Sequence, residues 1–404
     1  MDFNSSSFCM IYLSSNKLDG PLPRISSSIT ELDLSNNSLS GDISHLLCDQ
    51  PNDVPKKLKI LHLGDNDLSG NIPDCWMYWS SLEVINLSNN HLTGQIPKSV
   101  GSLHNLKSLH LRNNSLSGDI PIFLQHCTNL SVIDLGLNNI VGSLPNWIGI
   151  SLSNLMFLGF RSNKLSGHIP FELCHLNQLQ ILDIAHNNLF GTIPGCFGNF
   201  KGMINKPHSN DLIFYSQYGG VFMENGYVVT KGREDQYNTI LRLVTNLDLS
   251  NNNLSGNFPI QLTRLQALMS LNLSGNSLKG SIPDQIENMI MLESFDLSMN
   301  QLSGMIPPSM SSLTFLNHLN LAYNYLSGEI PTSTQLQSMD ESCYIGNQLC
   351  ELPLLKKCRE DHEITPNDTS TEDEEEKYWF RLGIAVGFGV GFLGIIGPLL
   401  VCGF

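Results

Sequence analysis

LDLSNNNLSGNFP, residues 247–259, is one printing of a frame that governs most of this 404-residue chain. The frame is L-x-L-x-x-N-x-L-x-G, often followed by x-I-P. Indexed by the central asparagine, it recurs at Asn16, Asn37, Asn66, Asn90, Asn114, Asn138, Asn163, Asn187, Asn252, Asn276, Asn300 and Asn324. Most spacings are 24 residues. The step from Asn37 to Asn66 is 29, and the step from Asn187 to Asn252 is 65.

One copy, residues 82–106, shows what the frame does. Ile85 and Leu87 alternate with Asn86, so the two apolar chains point inward from a short strand and Asn86 points away. Asn90 follows where the chain turns, and its amide offers donors and an acceptor to backbone groups that a bend leaves unpaired. Leu92 re-enters the core, and Gly94 allows the next bend without a Cβ clash. Ile96, Val100 and Leu103 fill the far side, and Pro97 stands where no ladder N–H is needed. A single coil hides too few leucines to offset the entropy of ordering two dozen residues. Coils therefore stack, and a period of this length predicts a leucine-rich-repeat solenoid. The expected fold has parallel strands on a concave face and irregular or 3-10 structure on the convex side.

The long step leaves about 41 residues beyond one normal period, residues 201–242, reading KGMINKPHSNDLIFYSQYGGVFMENGYVVTKGREDQYNTILR. The frame is lost there. Phe214, Tyr215, Tyr218, Phe222, Tyr227 and Tyr237 make the segment aromatic, which argues against disorder. It is read as an inserted island that folds back on the solenoid.

The formal net charge of −15 excludes a broad nucleic-acid surface. Nine of the 37 acids lie between Glu360 and Glu376, in a solvated linker without apolar periodicity. Ten cysteines suit an oxidising compartment. Cys48 and Cys75 stand eleven and nine residues after their asparagines, and Cys174 and Cys196 repeat those offsets in another adjacent pair of repeats. This predicts disulfides Cys48–Cys75 and Cys174–Cys196. Cys9, Cys127, Cys343 and Cys402 have no evident partner. No close Cys/His quartet suggests a metal, no cofactor is implied and no catalytic constellation emerges. Asp33, Asp134, Asp183, Asp248 and Asp296 fall between strand leucines and are read as solvated strand positions.

YVVTKGREDQYNTIL leading into VTNLDLSNNNLSG, and IPDCWMYWSSLEVINLSNNHLTG at 72–94, resemble plant leucine-rich-repeat receptor-like proteins. The type it resembles is that of the fungal-xylanase receptors and the Verticillium-resistance-like proteins. The resemblance covers essentially the whole chain, with the island exit its most specific part. It implies a kinase-less cell-surface receptor that reads an extracellular peptide or protein ligand, in defence or development, and signals through an adaptor or co-receptor kinase. It implies that Cys350 and Cys358 close a C-terminal cap. On this basis the chain divides into repeats (1–200, first copy incomplete), island (201–242), repeats (243–335), cap (336–358), acidic linker (359–377) and a transmembrane helix (378–404).

Residues 382–404 are 23 uncharged residues, long enough as a helix to cross a bilayer. Gly383, Gly387 and Gly391 share one face and would let a partner helix approach closely. MDFNSSSFCM has no secretory character. The family's signal peptide, N-terminal cap and basic tail are not in this sequence, so it reads as the C-terminal part of a longer, plasma-membrane, type I receptor. Sequons occur at Asn4, Asn36, Asn86, Asn113, Asn129, Asn253, Asn272 and Asn367 and are candidate glycosylation sites. The frame itself generates many of them.

Ligand recognition is assigned to the concave face beside the island. His110, Arg112, Leu137, Arg161 and His186 are expected to project there, with Tyr215, Tyr218 and Tyr227 completing a basic and aromatic trough. Two alternatives stay open: a truncated or decoy receptor fragment, and a soluble repeat protein that inhibits a secreted enzyme.

Overall fold

The computed structural model describes residues 2–3, 10–48, 56–205, 214–217, 220–223, 225–237 and 241–358. All belong to one unit, Met1–Cys358. A second unit, Arg359–Phe404, lies outside the described residues, and with it the expected span and its three glycines. Among the described residues no helix is long and apolar enough to cross a membrane.

Twelve parallel strands of three residues each form one sheet in chain order. They are β1 (Met10–Tyr12), β2 (Glu31–Asp33), β3 (Ile60–His62), β4 (Val84–Asn86), β5 (Ser108–His110) and β6 (Val132–Asp134). β7 (Phe157–Gly159), β8 (Ile181–Asp183), β9 (Asn246–Asp248), β10 (Ser270–Asn272), β11 (Ser294–Asp296) and β12 (His318–Asn320) complete it. The middle residue of each points into a continuous leucine core; Leu109, Leu158, Leu247 and Leu271 are fully buried.

The return path is helical for a simple reason. Val100, Leu103 and Leu106 recur every three residues, which matches three residues per turn. Val100 N–H bonds Pro97 O at 3.2 Å, Leu103 N–H bonds Val100 O at 3.1 Å, and Leu106 N–H bonds Leu103 O at 3.0 Å. The 3-10 turn Lys98–Ser102 follows Pro97, whose fixed φ suits a helix start.

The asparagine of the frame locks one coil to the next. Asn90 Nδ2 donates to Leu63 O, Leu87 O and Ser88 O, each at 3.1 Å, while its Oδ1 accepts from Leu68 N–H at 3.0 Å. The ladder does not stop at the island. Asn252 Oδ1 accepts from Leu189 N–H at 3.0 Å and its Nδ2 donates to Ile184 O at 3.1 Å. β8 pairs directly with β9, with Ile181 opposite Asn246 and Asp183 opposite Asp248. The island is therefore spliced out of the solenoid without shifting its register. A thirteenth rung, Asn347, was not counted in the sequence. It lies in the cap, donates to Leu321 O at 2.9 Å and accepts from Leu326 N–H at 3.0 Å.

Candidate functional site

The island contributes two antiparallel hairpins. In the first, Phe214–Gln217 pairs with Gly220–Met223, so Tyr215 lies on a strand opposite Phe222. Tyr218 lies outside the described residues. In the second, Gly226–Thr230 pairs with Arg233–Tyr237 around Lys231 and Gly232, both at positive φ. Two such residues at the tip are what a two-residue turn between twisted strands demands.

This second hairpin lies on the sheet. Val228 and Leu241 pack on Val132, Phe157, Ile181 and Val244, an apolar cluster separate from the leucine core. Two ion pairs flank it. Arg112 bonds Glu234 and stands over the Tyr227 ring, 5.3 Å from its centroid. On the other side Lys231 Nζ reaches Glu293 at 3.0 Å, and Lys231 N–H donates to Ser294 Oγ at 3.2 Å. Gly136 makes room for the first clamp, because a Cβ there would sit 2.5 Å from Arg112 Nη1.

The expected basic trough needs correction. Arg112 is 4% exposed; besides Glu234 it faces Asp134 Oδ1 at 3.8 Å. Arg161 is 7% exposed and is held by Asp183 at 2.6 Å and by Asp248. His110 is buried, Leu137 is half-buried and His186 is exposed. Leu137 and His186 do not project from strands; they occupy the positive-φ turn just before the frame asparagine. Of the eight candidates, Arg112 and Tyr227 meet on the hairpin, while Arg161 belongs to the framework. Asp134 and Asp183 lie one repeat on from Arg112 and Arg161, whereas Glu234 and Asp248 lie 122 and 87 residues away, where periodicity gave no signal of them.

Three of the five aspartates are not solvated either, while Asp33 and Asp296 are half-buried. Asp134, Asp183 and Asp248 are buried. Each caps the turn after its strand: Asp134 Oδ1 accepts from Gly136 N–H at 3.0 Å, and Asp248 Oδ1 accepts from Ser250 N–H at 3.0 Å and Ser250 Oγ at 2.6 Å. The sequence signal was an aspartate recurring two residues before a small residue at the bend, Gly136, Ala185 and Ser250, whose N–H its side chain can satisfy. Burial pushes the Asp183 carboxyl up to about 6 against the pull of Arg161, and the Asp248 carboxylate adds to the rise. Burial likewise raises Asp134, opposed by Arg112 and His110. Burial and the Arg161 charge lower the His186 value.

Disulfides join Cys48 to Cys75, Cys174 to Cys196 and Cys350 to Cys358, with Cα separations of 5.6, 5.7 and 5.2 Å. Cys127 is buried and Cys343 half-buried, both free thiols, and Cys9 and Cys402 lie outside the described residues. Asn36, Asn113, Asn129 and Asn253 are exposed and Asn272 is half-buried, whereas Asn4 and Asn367 lie outside the described residues. Asn86 is the correction among the sequons: it is 5% exposed, its amide is taken by His62, and a glycan could not be seated there.

The hairpin divides the sheet face. Upstream it leaves a polar recess of about 340 Å³ among β3, β4, β5 and Tyr227. Downstream it leaves a second, apolar recess of about 340 Å³ lined by Tyr237, Leu243, Val244 and Met269. Recesses of this size lie at the small end of the range for ligand pockets. Among the described residues no group of three or more metal-ligating side chains comes together.

Leucine rich repeat family models match residues 28–49, 56–116, 104–149, 178–200, 242–302 and 315–336, together more than half of the chain. The chain is a leucine-rich-repeat protein. No curated protein matches it. Among solved structures it is similar to PEPR1 with AtPEP1: 28% identity over 86% of this chain and 46% of that one, TM-score 0.63. It is similar to the Arabidopsis receptor kinase HAESA in complex with the peptide hormone IDA and the co-receptor SERK1. There the identity is 29% over 87% and 55%, with TM-score 0.60. This leucine-rich-repeat chain thus spans about half the length of those two. It is also similar to a plant ice-binding protein, with 28% identity, 75% and 85% coverage and TM-score 0.56. One fold serves both roles, so function has to be argued from the site.

Proposed function

We propose that the chain is the ligand-reading part of a plant receptor-like protein, binding an extracellular peptide or protein on the sheet face at the edges of the island hairpin. The observation that carries this reading is the hairpin itself. It is tethered by an apolar pad and two ion pairs, and it turns an otherwise uniform strand surface into two chemically distinct recesses. The likeness to receptor ectodomains solved with peptide hormones supports it. In this reading residues 378–404 cross the plasma membrane, Gly383, Gly387 and Gly391 pack against an adaptor kinase helix, and the repeats meet a co-receptor, as HAESA meets SERK1. The exposed sequons Asn113, Asn129 and Asn253 carry the glycans, whereas Asn36 lines the polar recess.

A photo-crosslinking residue at Gln236 or Met269, challenged with the peptide fraction of plant and fungal culture filtrates, tests the reading. Discrete peptide adducts are expected at these two positions and not at Phe171, which is exposed on a 3-10 turn. Equal labelling at all three positions, or none, would remove the assignment. Carbonate extraction of the full chain from membranes tests the anchor separately.

A further inference from the structure

The polar recess upstream of the hairpin has a chemistry of its own. Asp65, Asn86, Asn89, Tyr227 and Asp134 line it together with His62, and among the described residues no lysine or arginine does. Arg112, at the Tyr227 ring, has its guanidinium engaged by Glu234 and faces Asp134.

The charge on His62 follows from its partners. Asn86 Oδ1 accepts from Ser88 N–H at 2.9 Å, which leaves Asn86 Nδ2 to donate to His62 Nε2 at 3.0 Å. An accepting Nε2 places the imidazole proton on Nδ1, which lies 3.5 Å from Asp33 Oδ1. His62 is then a neutral ring whose donor faces an acid. The recess is walled by two carboxyl groups, by the imidazoles of His62 and His110, by amides and by hydroxyls, with Arg112 balanced by Glu234. Its surplus is in acceptors and negative charge, which repels an acidic ligand group and leaves a neutral one without a Coulombic partner.

Resting on the receptor reading above, we propose that this recess takes one cationic side chain, lysine or arginine, of the peptide ligand. Asp65 lies at its exposed rim. Its Oδ1 holds Asn89 Nδ2 at 2.7 Å, and the same carboxylate can meet an incoming cation. Asp134 is the carboxyl at the buried end, beside Arg112.

The experiment uses the full chain and small probes: Nα-acetyl-arginine amide, Nα-acetyl-lysine amide, the neutral Nα-acetyl-citrulline amide and the acidic Nα-acetyl-glutamate amide. Binding is read by saturation-transfer NMR. The arginine or lysine probe is expected to bind at millimolar concentration and the other two at least tenfold more weakly. Asp65→Asn should weaken the cationic probe about fivefold, and Asp65→Lys should abolish it. Asp65→Asn is safe for folding, because asparagine already holds the same positive-φ position at Asn36, Asn89 and Asn113. Citrulline bound as well as arginine, or a cation bound equally by the Asp65→Lys variant, would overturn the proposal. Peptide adducts at Gln236 without a lysine or arginine preference would overturn it while leaving the receptor reading intact. Cation binding without any peptide adduct would support the recess chemistry and remove the receptor reading.

Discussion

Arg112 and Arg161 stand at the same position of the frame, two repeats apart, and do different work. Arg161 bonds Asp183 on β8 and Asp248 on β9, the last strand before the island and the first after it. It helps hold the solenoid together at the splice. Arg112 reaches out of the solenoid to Glu234 and pins the hairpin. Every other rung at this position between Ser35 and Ala322 is serine, glycine or alanine. An insertion in a stacked fold needs both devices, one to close the stack behind it and one to hold what was inserted.

The largest expected effect tests the splice. Arg161→Met leaves Asp183 and Asp248 buried without their cation and should cost about 3–5 kcal/mol in chemical denaturation. A loss within about 1 kcal/mol would mean that the backbone ladder alone closes the stack. Next comes the ladder. Asn138→Ala takes the side-chain acceptor from Leu116 N–H and one of two donors from each of the carbonyls of Leu111, Leu135 and Gly136, which keep Asn114, Asn163 and the Asn113 N–H, at a cost of about 1–3 kcal/mol. The same change at exposed Asn139 should fall within about 0.5 kcal/mol.

The third effect is a pH dependence. The folded Asp183 value, about 6, lies above that of an unfolded aspartate, about 4. The protonated form is thus favoured by the fold. Its stabilising contribution is complete below the unfolded value and is lost as pH rises through 6. Between pH 7 and pH 5 this carboxyl should add about 1 kcal/mol to stability while His186, lowered in the fold, acts the other way, so the measurement is the difference in pH slope between the chain and Asp183→Asn. The smallest effect concerns the clamp. Glu234 is partly exposed, so solvent screens its pairing with Arg112. Glu234→Gln should leave the denaturation midpoint within about 0.5 kcal/mol. Its mark is local: hydrogen exchange of residues 226–237 should quicken several-fold while β6 to β9 stay protected. Uniform exchange across both regions would show that clamp and splice are one unit.

How much was legible follows the same division. The leucine core, the turn asparagines and the placement of an island between Asn187 and Asn252 were all readable, because each repeats or visibly fails to repeat. Two cysteine pairings were readable from matching offsets. The commitments of Arg112, Arg161, Asp134, Asp183 and Asp248 were not, since an isolated strand position facing away from the core looks solvated until something covers it. Asn86 looked like a free sequon for the same reason. Asn347 escaped because the cap departs from the frame around it.

By itself the sequence determined the stack. A 24-residue period of leucines and asparagines can bury its apolar side and satisfy its bends only by placing coil on coil. Tertiary structure alone decided the surface. The pairing of Glu234 with Arg112 joins residues 122 positions apart, and Arg161 and Asp248 are 87 apart. Such pairs form only after the stack has brought the strands together and the island has folded back onto them. No local pattern encodes which charge the chain will bury and which it will leave for a ligand.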